Sequence, residues 1–101
     1  MSPPATDRPM ELAGAIAGGA MEPLLELLDI MVAQAPGPML VIDCERLVRI
    51  DFLAAGSLLG WAAAQQSAGH QVQFRNLHRL AATFFNVVGI AEHAQIHARS
   101  D

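Results

Sequence analysis

The sequence predicts an α/β domain, a mixed β-sheet of about four strands with three to four helices packed mainly over one face. Short apolar runs such as Met39 to Asp43 alternate with longer segments whose apolar residues recur at helical spacing. Glycine or proline stands at most of the junctions between them. The connections are short, so successive elements should be neighbours in space with simple crossovers.

Taken in order, residues 1–9 hold three prolines and read as a flexible tail, because proline cannot donate to a ladder and biases its neighbour toward extended geometry. A single domain is expected over residues 10–101, with a short strand from Met10 to Ile16 that stops at Gly18 and Gly19. From Ala20 to Gln34, the residues Met21, Leu24, Leu25, Leu28, Met31 and Val32 form one helical stripe with Glu22, Glu26 and Asp29 off it. Pro23 suits the first turn, and Pro36, Gly37 and Pro38 forbid continuation. Met39 to Asp43 reads as a strand covered on both faces, and Leu47 to Ile50 as a second short piece leading to Asp51.

Ala54 to Ser67 is rich in Ala and Leu and should be helical, with Gly69 as its stop. Gln71 to Phe74 alternates as a strand ending at Arg75 and Asn76. Leu80, Phe84 and Val88 then recur every fourth residue up to Gly89, which predicts a third helix with those residues inward. Ile90 to Ala98 has no decisive period.

Composition narrows the function. Of the 101 residues, 52% are apolar and 16% charged, enough material for one packed core and too little room for two. The net charge is -4, with six arginines and no lysine scattered singly, so the basic stripe that nucleic acid requires is missing. The lone Cys44 lies in an apolar run, where a thiol behaves as a small hydrophobe, and suits a reducing cytoplasm. No stretch is long and apolar enough to insert into a bilayer.

Three segments in this order resemble the STAS family of sulphate transporter and anti-sigma factor antagonist domains. They are Leu40-Val41-Ile42-Asp43 through Ile50-Asp51, the helix opening at Ala54, and Val72-Gln73-Phe74-Arg75-Asn76 through Val88-Gly89-Ile90. The two acids Asp43 and Asp51 and the glycine after the third helix stand at the family's places. Gly89 also makes physical sense, since a residue with positive φ is wanted beyond that helix. The resemblance implies a STAS-like fold and a non-enzymatic, regulatory protein-binding role. The implied partner is an anti-sigma factor or kinase-like protein, or the ATPase of a lipid ABC transporter, for which a small STAS subunit is the accessory.

Two departures bear on mechanism. Antagonists of the family carry a phosphorylatable Ser directly after the loop Asp, and here Phe52 and then Leu53 occupy those positions. The first strand of the family's amino-terminal hairpin is also missing, since only Met10 to Ile16 precedes the first helix. Its place is empty, filled by the tail, or filled by another chain, which makes a homodimer sharing a sheet edge one expectation.

The candidate partner-binding residues are Asp51, Phe52, Leu53, Ala54, Ser57, Leu58 and Trp61. Asp51 suits a helix N-cap or the acidic edge of a recognition loop, capping being the commoner fate. Phe52 and Leu53 are either core residues swung inward or exposed anchors. Ser57 is the only hydroxyl near the loop and hence the alternative phosphosite, offset from the family's position; packing serines are far commoner than switches. Trp61 and Phe85 point away from the expected core stripe and, with Leu58 or Val87, could leave a surface patch, core membership being the commoner fate of such aromatics.

Catalysis and metal chemistry find no support in the pattern. His93 and His97 would share a face, with Glu92 just before the first of them, if Ala91 to His97 were helical, but the other half of a zinc site is absent. Asp43, Glu45 and Asp51 have Arg46 and Arg49 among them, the usual setting of surface pairs. Gly18-Gly19 lacks the Walker pattern and its lysine. No cofactor is expected.

Overall fold

A computed structural model describes residues 10–100; the expected tail at 1–9 lies outside them. Strands β1 (Met10–Glu11) and β2 (Gly14–Ile16) precede helix α1 (Met21–Ala33), which is entered through one 3-10 turn at Gly18–Ala20. Strands β3 (Met39–Asp43) and β4 (Leu47–Ile50) lead to α2 (Phe52–Ser67). Strand β5 (Gln71–Leu77), α3 (Arg79–Val88), a 3-10 turn at Ile90–Glu92 and β6 (Ala94–Ala98) complete the order.

The main sheet has the order β1-β3-β5-β6, and β2 pairs with β4 in a separate two-stranded ladder. The α/β class stands. Every described pair is parallel, however, so the sheet is not mixed in direction. The helices between β3, β5 and β6 act as crossovers, which is the connection parallel strands require.

The expected strand Met10 to Ile16 is two strands. The Leu12 N–H donates to the Asp43 carbonyl at 3.0 Å, after which the chain turns at Gly14, whose φ is +78°. Gly14 then donates to the Arg46 carbonyl at 2.8 Å and continues along β4 rather than β3. One short segment thereby joins both ladders.

The core lies between the helices and one face of the sheet. Along β3, Leu40 and Ile42 are buried while Met39 and Val41 face outward. The expectation of a strand covered on both faces is therefore corrected, because the helices cover one face only. Val72 and Phe74 of β5 continue the inner face, and Phe74 meets Phe85 of α3 edge-on with centroids 5.3 Å apart. On the outer face, the Gln73 amide donates to Met39 Sδ and its oxygen accepts from Arg75 Nε.

Helix α3 is rotated from the expected phase. Ala81, Ala82 and Phe85 are buried, whereas Leu80 and Val87 are exposed and Phe84 and Val88 only half-buried. The two alanines let the helix backbone approach the sheet, and Phe85 fills the space beside them. At its end Gly89 takes φ +96° as the left-handed C-cap, as the sequence implies.

The undecided carboxyl-terminal segment is strand β6, with a register shift against β5 between Phe74 and Leu77. Asn76 sits in that irregularity with φ +62°, its amide donating to Asp43 Oδ1 at 3.0 Å. Asparagine is one of the few residues besides glycine that visit the left-handed region routinely.

Candidate functional site

Helix α2 begins two residues earlier than its composition suggests, because Asp51 caps it. Asp51 is extended (φ -89°, ψ 176°), and its Oδ1 accepts the Ala54 N–H at 2.8 Å. Both carboxylate oxygens also accept the Gly18 N–H at 3.0 Å. Its backbone N–H donates to the Ile16 carbonyl at 3.1 Å. The carboxyl is held below the usual range for an aspartate, first by the Gly18 N–H and then by the Ala54 N–H. One exposed carboxylate therefore ties the entrance of α1 to the first turn of α2.

That clamp fixes the direction of the side chains that follow. Phe52 and Leu53 point to solvent and are 71% and 76% exposed. Ala54 and Ala55 turn inward and are fully buried. Phe52 lies edge-on to Phe84 of α3, with ring centroids 6.0 Å apart and planes at 77°.

The apolar surface continues beyond this pair. Leu80 and Val87 of α3 and Val48 of β4 are each at least 66% exposed. A groove of about 210 Å³ runs between the strand and the helix, lined by Val48, Arg49, Ile50, His78, Leu80, Ala81 and Phe84. His78 fixes its lower end. Its Nδ1 accepts the Ala81 N–H at 3.2 Å and so caps α3, which leaves Nε2 as the N–H that donates to the Val48 carbonyl at 3.2 Å. A contiguous patch of exposed large hydrophobes exceeds the scattered single ones ordinary for a surface.

The candidate residues thus separate. Asp51, Phe52 and Leu53 stand at the surface. Ala54, Leu58 and Trp61 are interior and cannot touch a partner in this conformation, which corrects their place in the candidate set. Trp61 packs toward α1, donating from Nε1 to Asp29 Oδ1 at 2.8 Å. Ser57, the alternative phosphosite, is half-buried in the first turns of α2. Phe85, for which the sequence leaves core and surface patch both open, is core.

Sequence reasoning missed Val48 and Leu80 and assigned Phe84 inward. The usable signal was the Ala81-Ala82 pair beside Phe85, which marks a close-packed helix face better than the four-residue repeat of Leu80, Phe84 and Val88 does.

Other chemistry-bearing groups are not assembled. His93 ends the 3-10 turn region and bonds Gln66 at 2.8 Å, while His97 lies in β6, so the helical pairing of the two does not exist. Among the described residues no group of three or more His, Cys, Asp or Glu is placed to hold a metal ion. Burial, reinforced by the charge of Asp43, pushes the Cys44 thiol up to about 12, which makes it a poor nucleophile. No described helix is long and apolar enough to cross a membrane.

No curated protein and no solved structure gives a significant match to the chain. A family model does match, over residues 3–96, and its description is STAS_2, the Mlab STAS domain. That span contains the Asp43 and Asp51 loops, the apolar start of α2 and the Gly89 cap described above. STAS domains are in general non-catalytic regulatory modules that act by binding other proteins, and this chain belongs to the STAS_2 family.

Proposed function

We propose that this STAS domain is a constitutive protein-docking module, without a phosphoswitch in the loop after Asp51. The observation that carries the reading is the pair Phe52 and Leu53, more than two-thirds exposed at a capped helix start, with the Phe52 ring edge-on to Phe84. Exposed apolar side chains on a rigid element make good anchors, because a partner desolvates them without first having to order them. Neither residue has a hydroxyl to phosphorylate. The nearest one, Ser57, is half-buried, which speaks against a displaced switch. The family resemblance supplies two partner classes, an anti-sigma factor or kinase-like protein and the ATPase of a lipid transporter.

The test is affinity capture from the native host with wild type and Leu53→Asp side by side. The variant is expected to keep its helical circular dichroism and lose the partner, since it places a charge in a desolvated anchor. Retention of the partner would rule out this loop as the docking site. Intact-mass measurement of the protein from growing and starved cells is expected to show no phosphate on Ser57; a stoichiometric phosphate there would replace the constitutive reading by a switched one.

A further inference from the structure

The groove beside the anchor pair carries information about what fills it. It is apolar along Val48, Ile50, Leu80, Ala81 and Phe84, its charged lining residue is the cation Arg49, and the exposed Arg79 stands in sequence between the lining residues His78 and Leu80. Among the described residues no acidic one lines it. The nearest acid along the chain, Asp51, shares a separate hollow with Arg49 and already spends its carboxylate on the Gly18 and Ala54 N–H groups. In a chain of net charge -4, a basic apolar face is a local reversal of the overall sign.

The shape adds a second constraint. A cavity of ~150 Å³ suffices for a benzene ring, so about 210 Å³ admits one large apolar side chain. Leu80, Phe84 and Val87 follow the spacing i, i+4, i+7 and run for about 10 Å along α3. This length and period match the apolar stripe of another helix laid against α3, the mode in which an amphipathic helix docks by anchors at such positions.

Resting on the docking reading above, we propose that the occupant is an amphipathic protein helix whose apolar stripe is flanked by aspartate or glutamate. One large apolar side chain enters the groove between β4 and α3, its neighbours cover Phe52, Leu53 and Leu80, and the flanking acids meet Arg49 and Arg79. An anionic lipid surface offers the same combination of charge and grease. Polybasic membrane sites, however, use clusters of about four to eight cations, and among the described residues the only cation lining this groove is Arg49, with Arg79 beside Leu80 in sequence, on a chain that is acidic overall. The complementary charge sets orientation and association rate as much as affinity.

The experiment is selection of a phage-displayed library of amphipathic helices, with a fixed apolar stripe and flanks randomised among Glu, Lys and Ser, on the immobilised domain. Wild type is expected to enrich Glu over Lys at the flanks by at least tenfold. The exposed double variant Arg49→Glu/Arg79→Glu is expected to reverse that preference, and Leu80→Asp to abolish enrichment. Enrichment that depends on Leu80 but shows no charge preference overturns the acidic-helix proposal and leaves docking at this face intact. Enrichment indifferent to both Leu53→Asp and Leu80→Asp overturns the docking reading itself, and no enrichment on wild type overturns the proposal. Co-sedimentation of wild type, but not of the double variant, with phosphatidylglycerol vesicles would assign the face to lipid instead.

Discussion

Two leucines five residues apart on α2 should behave as opposites. At about 100° per residue, Leu53 and Leu58 are displaced by roughly 140° around the helix; the first is 76% exposed and the second is fully buried. Leu58→Ala removes three buried carbons from a core between α2 and the sheet, for which Leu-to-Ala changes cost about 2–5 kcal/mol. Complete burial places it near ~3 kcal/mol, and a domain of this size loses about 4–8 °C of Tm per kcal/mol, so a fall of roughly 12–24 °C follows. Leu53→Ala takes away little buried area and should stay within about 0.5 kcal/mol, or less than ~4 °C. Thermal melts followed by circular dichroism measure both. Equal losses, or the larger loss at Leu53, would mean that α2 is rotated and that the anchor face has been misplaced.

The remaining predictions concern the devices that hold this face. The carboxyl of Asp51 is held below its ordinary range in the folded chain, so its stabilisation is complete above the unfolded pKa of ~3.9 and is lost as pH falls through the folded value. Urea midpoints should thus show wild type above Asp51→Asn at neutral pH, with the gap narrowing below pH ~4; a gap independent of pH removes the clamp from the account. Trp61→Phe deletes the donor to Asp29 and part of a buried ring, so it should cost more than the ~1 kcal/mol of one hydrogen bond. Asp29→Ala added to the Trp61→Phe variant should then cost almost nothing more, as a double-mutant cycle would reveal. At Gly89, a Cβ would come within 3.0 Å of Glu92 Oε2; that side-chain tip can move, so the cost of Gly89→Ala is the backbone strain of about 1–2 kcal/mol, readable as a Tm loss of roughly 4–16 °C.

What the sequence made legible was set by local chemistry. The α1 stripe, the Pro36-Gly37-Pro38 break, the apolar run of β3 and the Gly89 cap each depend on residues close in the chain, and the structure has them where the pattern puts them. The failures depend on distant contacts. Nothing near Leu12 announces that the strand must leave the Asp43 ladder for that of Arg46. The phase of α3 is decided by how closely Ala81 and Ala82 let it approach β5 and β6, and a repeat of large residues every fourth position gives no hint of that. Strand β6 has weak propensity of its own and exists because β5 offers it an edge.

The same distinction explains why half of the candidate site was readable. Asp51 followed by Phe52 and Leu53 is a local cap and its next two residues, and a cap forces the first helical side chains into a defined direction. Leu58 and Trp61 lie one and two turns further on, where the sheet and α1 decide what is covered. The missing members, Val48 and Leu80, come from two other elements that meet only when His78 joins the β4 carbonyl to the start of α3. Small residues on the inner side of α3 push its bulk outward, so close packing against the sheet and the exposed apolar row are two results of one arrangement. Replacing Ala82, which does not line the groove, by a larger residue to improve the core would therefore lift α3 and open the groove that Leu80 and Phe84 form with Val48. For that reason the docking face we propose depends on the interior alanines as much as on the exposed residues that would touch a partner.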